Sequence, residues 1–324
     1  MYLDHFQFNK EPFGTAPDPD CVWLGGRHAR VFETLLEGLH DHEGCLILTG
    51  DIGTGKTALV KRIARQDGLA AFFFTAGGPE LSGLDIYRLL AAELRMDPGF
   101  DRPEEFVEGF SRLLREAAGK NKSAVLIIDE AQRLASGALK GVAALAARTA
   151  NGKCLLKLLM AGSPELDSKA GVAANEGLLP GIAVRCVLEP LTDADTQAYI
   201  AYRLKAAGRE RPLFSDEAVR AIRALSKGLP RLINIICDHA LLYGYSANLQ
   251  WIDSDVIREC SRDLSVALDL EELPQDRPAV VAPAPQPQAS LAPTARPPRG
   301  AWRPLVYLAA ALATAAGFLY FTMR

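Results

Sequence analysis

The residues that decide the fold are CLILTGDIGTGKT, numbers 45–57, where an apolar run is followed directly by a glycine-rich turn. The run has the length and composition of a buried strand, and residues 58–63 after the turn have those of a helix. Between them, GDIGTGKT fits the pattern G-x-x-x-x-G-K-[ST], which requires a strand before it and a helix after it. The sequence therefore predicts a phosphate-binding loop, and a glycine-rich turn that matches by chance is the alternative.

Each residue type in this loop has a predicted task. The glycines let the backbone curl so that successive N–H groups face an anion at a helix N-terminus. Lys56 is expected to contact the β- and γ-phosphates of a nucleotide, and the Thr57 hydroxyl is expected to bind Mg²⁺. The predicted nucleotide-binding residues of the loop are Gly50, Asp51, Ile52, Gly53, Thr54, Gly55, Lys56 and Thr57.

A second apolar run, AVLIIDEAQ at residues 124–132, ends in two adjacent carboxylates, Asp129 and Glu130. Like charges at a strand end repel each other unless a cation and a polarised water engage them. We therefore predict that Asp129 belongs to the nucleotide site and holds Mg²⁺ through a water, and that Glu130 is the base that activates the attacking water. Two acids in a surface turn are the alternative, which the loop upstream disfavours.

Three further signals are weaker. Arg231 follows a proline at the first position of a helix, where a cation opposes the helix dipole, so an anion such as the γ-phosphate is expected opposite it; an exposed arginine is the alternative. Ser163 follows a predicted strand and either orients the attacking water or forms a turn.

The histidines lie apart and receive no predicted role. One aromatic group is expected to pack together, with contact to an adenine as the lesser alternative: Phe6, Phe8, Phe13 and Trp23.

Apolar runs beginning near residues 45, 70, 123, 154 and 182 alternate with helix-length segments of three-to-four periodicity. This order predicts an α/β fold with a parallel sheet covered by helices on both faces. From residue 191 only helical patterns follow. We predict a nucleotide-binding core at 1–190 and a smaller helical lid at 191–268.

The C-terminal region has a different composition. Residues 269–303 are rich in proline and alanine and are predicted to form a linker. Residues 305–321 carry no charge and predict a single transmembrane helix at 304–323; a buried or interfacial helix is the alternative. Arginines concentrated before this segment predict a single-pass membrane protein with the bulk of the chain in the cytoplasm.

Composition excludes several classes of protein. With 49% hydrophobic and 23% charged residues, the 324-residue chain is neither wholly disordered nor fibrous. Lys plus Arg (36) nearly balances Asp plus Glu (39), so the net charge of −3 argues against nucleic acid as a partner. The six cysteines are scattered without metal-ligand spacing and are expected to be reduced thiols.

In combination, these motifs resemble the AAA+ ATPases of the ExeA family, the general secretion pathway protein A group. The resemblance covers about residues 1–265 and is carried in order by GDIGTGKT, VLIIDEAQ, LLMAGSPEL, VRCVLEPL, PLFSDEAV and GLPRLINIICDHALL. It implies a P-loop AAA+ core with Asp129 and Glu130 as the Walker B pair, Ser163 at sensor 1 and Arg231 as sensor 2. It also implies a membrane-anchored homo- or hetero-oligomer that uses ATP and Mg²⁺ to help assemble an envelope secretion or export apparatus.

Two departures from the family pattern bear on hydrolysis. The family typically has glutamine where Ser163 stands, and it reads L-R-Q-R-I where this chain has LLPGI, which puts Gly181 at the expected position of the arginine finger. Hydrolysis is therefore expected to be weak without a partner. Two other functions stay open: an ATP-dependent scaffold without turnover, and a DNA-associated ATPase of the transposition type.

Overall fold

The computed structural model describes residues 2–41, 44–77, 83–147, 149–150, 153–177, 179 and 181–270. Its strands in chain order are β1 (Cys45–Thr49), β2 (Leu69–Thr75), β3 (Ser123–Asp129), β4 (Thr149–Ala150), β5 (Lys153–Cys154), β6 (Lys157–Gly162) and β7 (Ile182–Val187). Five of them form one parallel sheet in the spatial order β2-β3-β6-β1-β7. Because the strands are parallel, β1, β6 and β3 all end at the same edge.

Helices connect and cover these strands. In chain order they are α1 (Tyr2–Phe6), α2 (Gly26–Asp41), α3 (Lys56–Ala64), α4 (Gly83–Glu93), α5 (Pro103–Gly119), α6 (Ser136–Ala146), α7 (Glu165–Asn175), α8 (Asp193–Ala206), α9 (Asp216–Ser226), α10 (Pro230–Ser246) and α11 (Ser254–Leu270). A short 3₁₀ helix, Ala131–Arg133, follows β3 directly.

Both faces of the sheet are buried, as the apolar runs predict. In β3, Leu126 and Ile128 pack on the side of α4 to α7, whereas Val125 and Ile127 pack on the side of α2 and α3. All four side chains are fully buried, which explains why this strand shows no polar alternation in the sequence. The predicted α/β fold with a covered parallel sheet is confirmed.

One predicted strand is two strands in the structure. The apolar run that begins near Cys154 contains both β5, which pairs with β4 in an antiparallel hairpin, and β6, which belongs to the main sheet. Lys157, the first residue of β6, interrupts this run, but one charged residue between two short apolar stretches does not by itself show that one strand has ended and another begins.

After β7 the described chain is helical, apart from a parallel bridge between Phe214 and Ile252. The helices α8 to α11 surround a separate apolar cluster, the lid core. Three N-terminal side chains, Phe6, Phe8 and Phe13, are buried in this cluster. The first residues of the chain, assigned to the 1–190 core by sequence, therefore pack with the lid.

Among the described residues, no helix has both the length and the apolar character needed to cross a bilayer. The transmembrane helix predicted at 304–323 lies outside the described residues, as does the predicted linker from residue 271 onward.

Candidate nucleotide-binding site

The phosphate loop connects β1 to α3 at the edge of the sheet where β1 ends. Gly53 (φ 88°) and Gly55 (φ 100°) adopt left-handed backbone conformations, which a side chain would strain. Gly50 is needed for another reason, because a Cβ there would lie 2.5 Å from the Leu188 carbonyl oxygen. The Thr54 hydroxyl donates to the Asp51 carbonyl at 2.9 Å and closes the loop from inside.

Lys56 is turned back over the loop. Its Nζ donates to the carbonyl oxygens of Gly50 (2.7 Å) and Asp51 (2.9 Å), which uses two of the three ammonium protons. Burial lowers the pKa of Lys56, against the opposing effect of the Glu130, Asp129 and Asp51 carboxylates. The ammonium is therefore held in a partly dry position next to the loop, where an anion would be attracted strongly.

Thr57 and Asp129 meet directly across the sheet. The Thr57 hydroxyl donates to Oδ2 of Asp129 at 2.6 Å, and the Asp129 side chain is only 2% exposed. A hydroxyl and a buried carboxylate side by side are hard oxygen ligands of the kind that Mg²⁺ prefers. The two residues predicted to serve Mg²⁺ thus lie together.

Glu130 lies at the tip of β3 and belongs to the lining of the same cavity as Lys56 and Thr57. Its backbone has φ 54°, an unusual conformation for a residue other than glycine, and its N–H donates to Oδ1 of Asp129 at 3.0 Å. Its carboxylate accepts a hydrogen bond from the side chain of Gln132 at 2.8 Å. The predicted base is therefore oriented by its neighbours.

Ser163 follows β6, between the ends of β3 and β1. Its backbone N–H donates to Oε1 of Gln132 at 3.2 Å. Its hydroxyl oxygen is buried and has no hydrogen-bond partner within the part of the chain that the structure describes. The backbone of Ser163, rather than its side chain, thus connects with Glu130, through Gln132.

Arg231 brings the lid to the phosphate loop. Its backbone N–H donates to the Gly53 carbonyl at 3.2 Å, and a Cβ on Gly53 would lie 3.2 Å from the Cβ of Arg231. The side chain is exposed and lines the cavity next to the loop. The first turn of α10 is therefore in contact with the loop, with its cation available to an anion bound there.

A cavity of about 390 Å³ separates the loop from the lid. Its third wall is a segment that we call the strap, residues 15–23, which runs from the lid core to α2. Arg203 of the lid donates to the Pro12 carbonyl (2.6 Å) and to the Gly14 carbonyl (3.1 Å), and so fixes the start of the strap. The strap contributes both polar and apolar side chains to the cavity wall, among them Asp18, Val22 and Trp23.

The four N-terminal aromatic residues pack on the lid core, as expected: Phe6, Phe8 and Phe13 are buried in it and Trp23 packs against it. Trp23 also lines the cavity, with its ring 5.8 Å from that of His28 and 6.3 Å from that of Tyr199. The cavity thus has aromatic side chains in its lining, which suit a flat base. The same side chain was expected to contact an adenine only as the lesser alternative.

His28 is a site residue that the sequence did not reveal. It is 6% exposed in α2, and its Nε2 lies 3.1 Å from the Thr54 carbonyl of the loop. Because a carbonyl oxygen only accepts, Nε2 is the nitrogen that donates in this contact. Burial lowers the pKa of His28. The only sequence signal was a histidine two residues after a glycine pair, which is not diagnostic.

The chemistry of these groups fits a nucleotide with Mg²⁺. The loop offers backbone donors at the start of α3 and a partly buried ammonium, and a Cβ on Gly55 would meet nothing within 4 Å, which leaves open space over the loop. In the described part of the chain no cluster of three or more His, Cys, Asp or Glu suits a metal ion. Mg²⁺ at such sites is held mainly by phosphates and waters and needs few protein ligands.

Comparison with known proteins agrees with this geometry. Residues 39–169 match the AAA domain family. General secretion pathway protein A of Aeromonas hydrophila is 32% identical over 249 residues, which are 76% of this chain and 45% of the relative. The chain is an ExeA-like AAA+ protein. It spans a little under half the length of this curated relative.

Solved AAA+ structures share the fold at low sequence identity. The Aeropyrum pernix ORC2 protein has a TM-score of 0.59 at 15% identity, with 79% of this chain and 72% of that chain covered. Cdc6p from Pyrobaculum aerophilum gives 0.58 at 17% identity, with 74% and 68% covered. The Aeropyrum pernix ORC1 protein, solved in complex with DNA, gives 0.57 at 16% identity, with 82% and 73% covered. These likenesses show the AAA+ fold alone.

Gly181 lies just before β7, at the end of the sheet opposite the phosphate loop. Its carbonyl accepts from the N–H of Cys45, the first residue of β1, whereas the loop follows the last residue of that strand. A side chain at 181 would therefore lie at the far end of the sheet from the nucleotide site of its own chain. Arg185 in β7 pairs with Asp167 of α7 and is engaged within its own subunit.

We predict a pH dependence of stability from His28. The pKa of His28 is lowered on folding. At pH values below about 6.5, the ordinary pKa of histidine, His28 is therefore more protonated in the unfolded chain than in the folded chain. The free energy of unfolding should fall below that pH by up to about 1.4 kcal/mol per pH unit through this group. His28→Gln keeps an N–H donor without titrating and should remove that part of the decline in urea unfolding.

The control for this experiment is His40→Gln, since His40 lies on the same helix and is exposed. Its unfolding free energy should follow that of the parent at each pH. An unchanged decline in His28→Gln would show that His28 does not cause it.

Proposed function

We propose that this AAA+ protein binds Mg-ATP in the cavity between core and lid and hydrolyses the ATP to ADP and inorganic phosphate. The observation that carries the proposal is the contact of Thr57 with Asp129 at 2.6 Å, with Glu130 next in the chain and facing the same cavity. A phosphate loop alone would support binding. Attack by water on a bound phosphate also needs a metal ligand and a base. The buried carboxylate that is hydrogen-bonded to Thr57, and the oriented Glu130 after it in the chain, supply these two groups.

The residues divide the work as follows. The loop N–H groups and Lys56 hold the β- and γ-phosphates, and Thr57 with Asp129 serves Mg²⁺. The metal supplies charge neutralisation on the phosphate oxygens. Glu130 accepts the proton of the attacking water. Arg231 approaches from the lid and contributes positive charge at the γ-phosphate.

Turnover by this subunit alone should be slow. Gly181 offers no guanidinium to a neighbouring site, and Arg185 is paired within its own chain. An arginine that stabilises the departing phosphoryl group is worth about a thousandfold or more in phosphate-loop enzymes. We propose that the chain acts in a homo- or hetero-oligomer in which a partner supplies this charge.

The cellular role we propose is to help assemble or energise an envelope secretion or export apparatus. The support is the curated relative, whose name assigns it to the general secretion pathway. The uncharged segment at 305–321 supports anchorage in the inner membrane by one helix, with the ATPase domain in the cytoplasm. Components of that apparatus are then the expected partners.

A scaffold that binds ATP without turnover is the second candidate, favoured by Gly181 and by the absence of a long side chain at Ser163. A role on DNA has less support, because the net charge is −3 and low-identity likeness to a DNA-bound AAA+ structure speaks for the fold alone.

Binding is tested by thermal unfolding of the full chain. Mg-ATP at about 100 times its dissociation constant should add about 2.7 kcal/mol to the free energy of unfolding. Lys56→Ala should abolish this gain, because it removes the ammonium that faces the phosphates. Lys120→Ala, at an exposed position after α5, is the control and should keep the gain. A parent protein that Mg-ATP does not stabilise would refute the proposal.

Hydrolysis is tested by phosphate release from the same protein. We expect slow turnover that rises with subunit concentration or with added partner, and loss of turnover by about a hundredfold or more in Glu130→Gln. The variant should still be stabilised by Mg-ATP. Release by Glu130→Gln at the parent's rate would exclude Glu130 as the base, and a parent inactive under all these conditions would favour the scaffold.

The anchor is tested by deletion. Without residues 305–321 the protein should move from the membrane to the soluble fraction, since these residues are the uncharged segment long enough to span. Deletion of residues 273–289, equal in length but within the proline- and alanine-rich linker, should leave it in the membrane. If the protein without residues 305–321 stays in membranes that have been washed with alkali, these residues are not the membrane anchor.

A further inference from the structure

The side chain of Gln132 joins the end of β3 to the end of β6. Its Nε2 donates to Oε2 of Glu130 at 2.8 Å, and its Oε1 accepts the backbone N–H of Ser163 at 3.2 Å. The Gln132 amide thus makes two hydrogen bonds. One is to Glu130, the proposed base, and the other is to Ser163 in the segment after β6, which we call the sensor 1 segment. Gln132 ends the motif VLIIDEAQ, but within that motif only Asp129 and Glu130 have a predicted role.

The position of Gln132 is fixed by its surroundings. Gly162 allows the approach of the amide, because a Cβ there would lie 2.4 Å from Oε1 of Gln132. Lys169 of α7 donates to the Gln132 carbonyl at 2.9 Å, and the flanking Ala131 and Leu134 are buried. The amide therefore stands on a rigid support formed by β6 and α7.

Two other groups near Glu130 serve it less well. Arg133 approaches Oε2 of Glu130 at 3.7 Å, but its side chain is 62% exposed, and such a pair is worth about 0–1 kcal/mol. The buried Ser163 hydroxyl makes no hydrogen bond to Glu130 in the described structure. Gln132 is thus the side chain that links Glu130 to the sensor 1 segment.

We propose that Gln132 is the positioning residue of the reaction: it sets the direction of the Glu130 carboxylate and links it to the sensor 1 segment, a task that the short side chain at 163 does not perform. This inference rests on the proposed function, in which Glu130 activates water. With Oε2 of Glu130 held by the amide, Oε1 is left to accept from the water. A shift of the end of β6 would then move the Gln132 amide, and the amide would in turn rotate the Glu130 carboxylate.

The experiment measures single-turnover hydrolysis of radiolabelled Mg-ATP by the full chain at high protein concentration, where slow rates are resolved. Gln132→Met keeps the length of the side chain and removes both hydrogen bonds. Its rate should fall by about tenfold to a hundredfold, the usual effect of a misdirected catalytic group. The Mg-ATP concentration that gives half-maximal rate should not change. Arg133→Met, the matched control, should stay within about twofold of the parent.

A second comparison separates positioning from a structural effect. In the Glu130→Gln background, Gln132→Met should cause no further loss, because the residue acts through Glu130. Gln132→Glu keeps the acceptor for the Ser163 N–H and loses the donor to Glu130. It guards against failure of the methionine variant to fold and should also be slow.

The outcomes are distinguishable. If the parent hydrolyses ATP and Gln132→Met does so at the same rate, the positioning role is overturned and the proposed function stays intact. An equal loss in the parent and Glu130→Gln backgrounds assigns Gln132 to structure and also overturns the role. A parent without hydrolysis under single-turnover conditions overturns the proposed function, and the role of Gln132 with it.

Discussion

The hydrogen bond from Thr57 to Asp129 depends on a constraint of the whole sheet: β1, β6 and β3 are parallel and end at one edge. The phosphate loop follows β1 and the carboxylate pair follows β3, with β6 between them. Side chains from separate parts of the sequence can meet there only if all three strands run in the same direction. Parallel α/β sheets in general place ligands outside the carboxyl ends of their strands.

Local motifs made the central part of this site predictable. The loop pattern specifies its own strand and helix, and the pair Asp129-Glu130 ends a run that can only be a buried strand. The alternation of strands and helices then supplied the parallel sheet. The break between β5 and β6 was missed because a single lysine, Lys157, within a short apolar run does not by itself mark the start of a new strand.

The rest of the site depends on contacts between residues far apart in the chain. Trp23 and His28 reach the cavity because the strap passes between core and lid, which no local pattern encodes. Gln132 ends the quoted motif VLIIDEAQ, but its contact with Ser163, thirty-one residues later, cannot be read from that motif. Ser163 was placed correctly at the end of its strand, and its buried hydroxyl has no hydrogen-bond partner among the described residues.

The packing of the N-terminal phenylalanines in the lid core also bears on how the protein unfolds. The hydroxyl of Tyr2 donates to Asp238 at 2.9 Å, a contact between residues 236 positions apart, and it closes a loop that contains the entire sheet. A lid built only from α8 to α11 could melt by itself while the core stayed folded. Here the lid cannot complete its interior without the beginning of the chain, so loss of either part strips apolar cover from the other. The lid and the first residues of the chain are thereby joined in one cooperative unit, and contacts so distant in sequence close slowly during folding.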